Sequence, residues 1–188
     1  HLDDLRALLE TIDGGTVLPG LDVDTDLRWS LLHRLVILGA VASDAIDEEL
    51  ARDDTATGRR QAAYAHAAQP TEQAKEEAWA QSVDSDELPN ALLFAAVEGF
   101  AQPEQHELVR PYVGRYLDAV PRVWSERTSD IARTIVVRLF PRVLSDRYDG
   151  RRLRVTRGHH NSSHATHGGY PGRGQPRLSR PVVRFFLN

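Results

Sequence analysis

Four histidines crowd into the stretch "RGHHNSSHATHGG", at His159, His160, His164 and His167. Imidazole is a ligand for zinc, copper or nickel, and His160 and His164 would share a face if the stretch were helical. Gly158, Gly168, Gly169 and two serines argue against a helix, so adventitious metal binding by an irregular tract is the plainer reading. His33 and His66 each stand alone in a helical pattern and read as surface or packing residues. The carboxylate pairs Asp3-Asp4, Glu48-Glu49, Asp53-Asp54 and Glu76-Glu77 are sequence neighbours. On a helix such neighbours diverge by about 100°, so they read as solvated faces and helix-start charges rather than acid–base pairs. No H-E-x-x-H, G-x-S-x-G, P-loop or G-x-G-x-x-G is present. No catalytic, cofactor-binding or metal-ligating residue is therefore assigned.

The elements that would position any site are helices in series. Leu5, Leu8, Leu9 and Ile12 make one short apolar face that ends at Gly14-Gly15. In "LDVDTDLRWSLLHRLVILG", Leu27, Leu31, Leu35 and Leu38 follow one face, and Trp29, Leu32 and Val36 a second. Asp24 or Thr25 can cap this helix and Gly39 can close it. Burial of Trp29 and Leu35 on different faces is expected, with His33 and Arg34 nearer to solvent. Ser43 caps a short helix with Ile46 and Leu50 inward. An alanine-rich segment over roughly 56–68 suits close packing, and Pro70-Thr71 opens a helix in which Ala74, Ala78 and Trp79 face in.

The pattern continues through Leu92, Leu93, Ala96, Val97 and Phe100, with Pro89 tolerated in the first turn. Pro103 begins the next helix, Pro111 breaks or restarts it, and Ile131, Ile135 and Leu139 form the last clear stripe before Pro141. No segment alternates with period two over a useful length. The expected class is all-α. Short antiparallel helix pairs recurring every ~30 residues point to a solenoid-like stack rather than a four-helix bundle.

Composition divides the chain. Its 188 residues are 41% hydrophobic and 27% charged, ordinary for a globular protein, and there is no cysteine. Disulfides and thiolate chemistry are thereby excluded, and a reducing, cytoplasmic setting is expected. No apolar run reaches the ~20 residues of a membrane span, so no membrane partner is expected. Residues 1–145 hold 14 basic and 25 acidic side chains, hence −11, whereas residues 146–188 hold nine arginines against Asp146 and Asp149, hence +7. The two sums give the net charge of −4. A boundary is expected near Ser145, with 1–145 helical and 146–188 an irregular Arg/Gly/His/Pro-rich tail. The arginines alone are a weak sign of nucleic acid, because no RNA-binding motif accompanies them. A first residue of His suggests a piece of something longer.

A resemblance adds what spacing does not. "GLDVDTDLRWSLLHRLVILG", "IDEELARDDTATGRRQAAYAHAAQPTEQAKEEAWA" and "ELPNALLFAAVEGFAQPEQHELVRPYVGRYLDAVPRVWSER" resemble the C-terminal helical domain of the aminopeptidase N family of zinc metallopeptidases, in its actinobacterial form. Its most telling residues are Asp53, Thr55, Gly58, Pro70, Thr71, Lys75 and Trp79. In that family an earlier domain carries H-E-x-x-H, a downstream ligand Glu and a G-A-M-E-N segment, none of which occurs here.

The resemblance implies a HEAT/armadillo-like right-handed stack of short antiparallel helix pairs, a chamber wall that restricts substrates to peptides able to enter. Its partners would be the catalytic domain of the same polypeptide and peptide substrates, with zinc held in that domain and no cofactor here. The segment would be part of a hydrolase but inactive alone. The tail departs from the family, and a reading-frame change and a divergent extension both stay open; a missing last helix pair would expose an apolar edge. The alternative function is a free-standing helical solenoid that binds a peptide or protein.

Overall fold

The computed structural model describes Asp3, Asp4, Ala7, Leu8 and residues 24–140. Asp3, Asp4, Ala7 and Leu8 are helical, and no strand occurs among the described residues. The protein is all-α over this part. The tail, its boundary near Ser145 and the histidine cluster lie outside the described residues.

Helix α1 spans Thr25–Ile37. Asp24 caps it by accepting the Leu27 N–H at 2.8 Å. Gly39 ends it at φ 68°, a left-handed conformation that favours glycine. The Gly39 and Ala40 amides then donate back to Val36 and Leu35, which satisfies two carbonyls that a helix end leaves open. Helices α2 (Asp44–Arg52) and α3 (Ala56–Ala68) follow. Helix α4 (Glu72–Trp79) is capped by Thr71 and runs on as a π-helical turn over Ala80–Asp84. Pro89 precedes α5 (Asn90–Phe100).

A 3₁₀ turn at Pro103–Gln105 leads into α6 (His106–Val109), and Pro111 stands directly before α7 (Tyr112–Glu126). Pro89, Pro103 and Pro111 each sit where the missing N–H costs no helix bond, whereas Pro121 lies inside α7 and removes one. Helix α8 covers Ser129–Arg138.

Helix α3 joins two apolar clusters. Ala62, Ala65 and Ala68 belong with Trp29, Leu32, Val36 and Ile46, while Ala67 belongs with Trp79, Leu93, Val97, Phe100 and Tyr112. Small side chains let α3 and α5 approach closely. A Cβ on Gly99 would come within 2.2 Å of the Tyr64 carbonyl oxygen, so no larger residue fits there. Helix α1 is buried on two sides: Trp29 and Val36 on one, Leu31 and Leu35 on the other. Full burial of one such side chain is worth about 1.5–3 kcal/mol.

Two buried polar side chains close helix ends in a way no local pattern announces. Lys75 Nζ donates to Ala67 O at 2.7 Å. Gln105 Nε2 donates to Ile37 O at 2.8 Å and to Ala68 O at 2.7 Å, tying together the C-termini of α1 and α3. A cation or donor is favourable at such a terminus, where carbonyls lack helical partners.

Several expectations need correction. Glu49 is buried rather than solvated, because Arg28 from α1 holds it with two short bonds and Arg52 adds a third. His33 is half-buried between the rings of Trp29 and Tyr64, with Nε2 3.0 Å from Gln61 O, so it lies less near solvent than expected. Ser43 occupies the N-cap position without a side-chain cap bond. Leu50, Leu92 and Ile131 are half-buried edges of their stripes.

Candidate functional site

The residues that carry the resemblance prove to be fold-holding. Thr55 caps α3 through the Gly58 N–H at 3.0 Å and donates from its hydroxyl to Asp53 Oδ1 at 2.7 Å. The other carboxylate oxygen of Asp53 accepts from Trp29 Nε1 at 2.9 Å. Gly58 sits so close beneath that a Cβ there would lie 1.9 Å from Asp53 O. The spacing D-x-T-x-x-G is thus a helix cap that also anchors the core tryptophan of α1. Thr71, Lys75 and Trp79 do the same one helix later, as cap, carbonyl partner and core residue.

The place with the makings of a binding site is a groove between α4 and the α6–α7 junction. It has a volume of ≈ 520 Å³ and is lined by Glu72, Gln73, Glu76, Glu107, Leu108, Pro111, Tyr112 and Arg115. The restart at Pro111 turns Tyr112 and Arg115 toward α4. Tyr112 Oη donates to Glu76 Oε2 at 3.0 Å, and Arg115 grips both oxygens of Glu76 at 2.5 and 3.0 Å.

The Arg115 guanidinium also lies 5.0 Å from the ring centroids of both Trp79 and Tyr112. Asp84, at the end of the π-helical turn, stands 3.6 Å from Arg115 and 2.8 Å from Arg122.

The electrostatics follow the geometry. The Arg115 hydrogen bonds hold the Glu76 carboxyl below its ordinary range, so it is an anion. Burial, then the Glu76 carboxylate, pushes the Tyr112 phenol up to about 12. Neither group is arranged to exchange a proton near neutral pH. The groove combines fixed charge with an aromatic floor.

The candidates named from sequence disperse. Asp3, Asp4, Glu48, Asp54 and Glu77 are exposed, and Asp53 and Glu49 serve the fold. His66 Nε2 lies 3.2 Å from Asp47. Only Glu76 reaches the groove. Among the described residues no three His, Cys, Asp or Glu converge as a metal site, so they do not fit zinc and none of its chemistry is routed through them. Tyr112 and Arg115 were missed because their partners lie 36 and 39 residues away. No helix in the described part is long and apolar enough to cross a membrane.

Residues 2–153 match the model of the ERAP1-like C-terminal domain. The chain is 47% identical over 143 residues to Aminopeptidase N of Streptomyces lividans, an alignment spanning 76% of this chain and 16% of that protein. It therefore belongs to the ERAP1-like C-terminal domain family, as a C-terminal domain of an aminopeptidase N-like protein.

Proposed function

We propose that this segment is the access wall of a zinc-dependent aminopeptidase that removes N-terminal residues from peptides. The observation that carries the reading is the continuous match over 143 residues that make up only 16% of the relative. The remaining length is where that reading assigns the zinc ligands and the residues that hold a substrate amine. This segment contributes a helical surface facing the chamber and no reacting group.

A HEAT- or armadillo-like stack is part of the same reading. It is supported by short helices with brief connections and by α1 buried on two sides. On the same reading residues 1–145 make up the helical domain and 146–188 an Arg/Gly/His/Pro-rich tail. A cytoplasmic setting accords with a chain free of cysteine.

The test uses the 188-residue chain beside the Streptomyces lividans enzyme shortened by the matching segment. The chain alone is expected to leave amino-acid anilides intact with zinc present. Added to the shortened enzyme, it is expected to restore trimming of peptides in a length-dependent manner. Chelator-sensitive turnover by the chain alone, or no effect on the shortened enzyme's peptide rates, overturns the proposal.

A further inference from the structure

The groove between α4 and α7 has an uneven charge. Glu72, Glu76 and Glu107 line it against one cation, Arg115, whose guanidinium is already committed to Glu76. Glu72 lies on the exposed surface of the first turn of α4, and its charge is felt at the Tyr112 hydroxyl. Glu107 stands on the α6 side, exposed, paired with Arg110 at 2.5 Å and His106 at 3.2 Å of its own turn, both screened by solvent. Between these carboxylates the lining is apolar: Leu108, Pro111 and the Tyr112 ring.

The protein itself shows what such a surface accepts. Arg115 lies in it with its guanidinium bonded to a carboxylate and stacked 5.0 Å from two aromatic centroids. A guanidinium or ammonium on an apolar stem matches both parts of the remaining groove, since long basic side chains lay their methylenes on apolar surface and keep the charge at a carboxylate. The field of the whole helical part has the same sign, because residues 1–145 sum to −11.

We propose that this groove takes a Lys or Arg side chain of an extended peptide, its charge between Glu72 and Glu107 and its stem over Leu108, Pro111 and Tyr112. The proposal rests on the access-wall reading for why a peptide would come here, and it names the class of peptide favoured: basic. It needs no metal and no reacting group.

The test is binding, measured by fluorescence anisotropy on the 188-residue chain at low ionic strength. The probes are two short labelled Ala/Ser peptides, one with a pair of arginines and one with glutamines in their place. The arginine peptide is expected to bind about ten-fold more tightly, and to weaken as salt is added. The double variant Glu72→Gln, Glu107→Gln is expected to lose about that factor, since each carboxylate contributes a charge-assisted bond. The double variant Glu48→Gln, Glu126→Gln changes net charge equally at exposed positions away from the groove and is expected to bind like the parent.

Equal affinity for the two peptides, no binding of either, or equal loss in both double variants overturns the proposal. The access-wall reading is tested separately by peptide-length dependence in the complemented enzyme, so either can fail while the other stands.

Discussion

The Lys75 amine, fully buried, donates to the carbonyl oxygen of Ala67 at 2.7 Å and so closes the C-terminus of α3 from α4. The Phe100 ring centroid lies 5.7 Å from the same nitrogen. Burial lowers its pKa from 10.5 to about 7, against the pull of a carbonyl that favours the charged form. Between those two values the unfolded chain binds one more proton than the folded chain, so stability rises with pH. Below about 7 both states carry the proton and this contribution is flat. Urea unfolding across that window should show a gain on the order of 2–4 kcal/mol, absent in Lys75→Met. Identical slopes in the two proteins would contradict the assignment.

His33 titrates in the same sense at lower pH. Its burial between Trp29 and Tyr64 lowers its pKa from 6.5, and the bond to Gln61 O only partly opposes that. The unfolded chain therefore takes up its proton first, and stability falls as pH drops below about 6.5. His33→Ala should cost about 1–2 kcal/mol at neutral pH through lost ring packing, and should flatten the acid limb of the stability curve. A loss within about 0.5 kcal/mol would mark His33 as an ordinary surface residue.

Gly58 and Gly114 make a paired test of close approach. A Cβ at Gly58 meets Asp53 O at 1.9 Å, whereas at Gly114 nothing lies within 4 Å. Gly58→Ala should cost at least about 2 kcal/mol, because the α3 cap and the Asp53 anchor must both shift. Gly114→Ala should be neutral or stabilise by up to about 1 kcal/mol, as alanine is the better helix residue. Thermal unfolding of the two variants checks the difference in sign.

Two-sided burial of α1 has a direct consequence. Trp29 is 1% exposed and Leu35 0%, on different sides of the helix. Trp29→Ala should cost about 3–5 kcal/mol and Leu35→Ala about 2–5, both through transfer energy and the cavity left behind. Denaturant unfolding in which either variant is nearly silent would show one side to be loosely packed.

Much of the architecture was legible from local signals. Asp24 and Gly39 delimit α1, Pro70-Thr71 opens α4, and Pro89 and Pro111 mark the starts of α5 and α7. Caps, prolines and left-handed glycines act over a few residues, so their meaning survives in one dimension. Apolar stripes located Trp29, Leu35, Trp79, Phe100 and Ile135 in the core for the same reason.

The partners of charged residues were not legible. Glu49 and Glu76 each look like half of an exposed acidic pair, yet one is buried under Arg28, 21 residues earlier, and the other joins Arg115, 39 residues later. Lys75 and Gln105 carry no local sign of burial, yet each finds a carbonyl on another helix. The sequence by itself determined the helical class of the described residues, the starts of several of those helices and, through the D-x-T-x-x-G run with Pro70, Thr71, Lys75 and Trp79, the family resemblance. Only the tertiary structure decided which charges are paired, which helix ends are closed from outside and where the acidic groove lies. The physical reason is range: caps and stripes are settled within a turn or two, whereas desolvation and ion pairing depend on which helices come together in space.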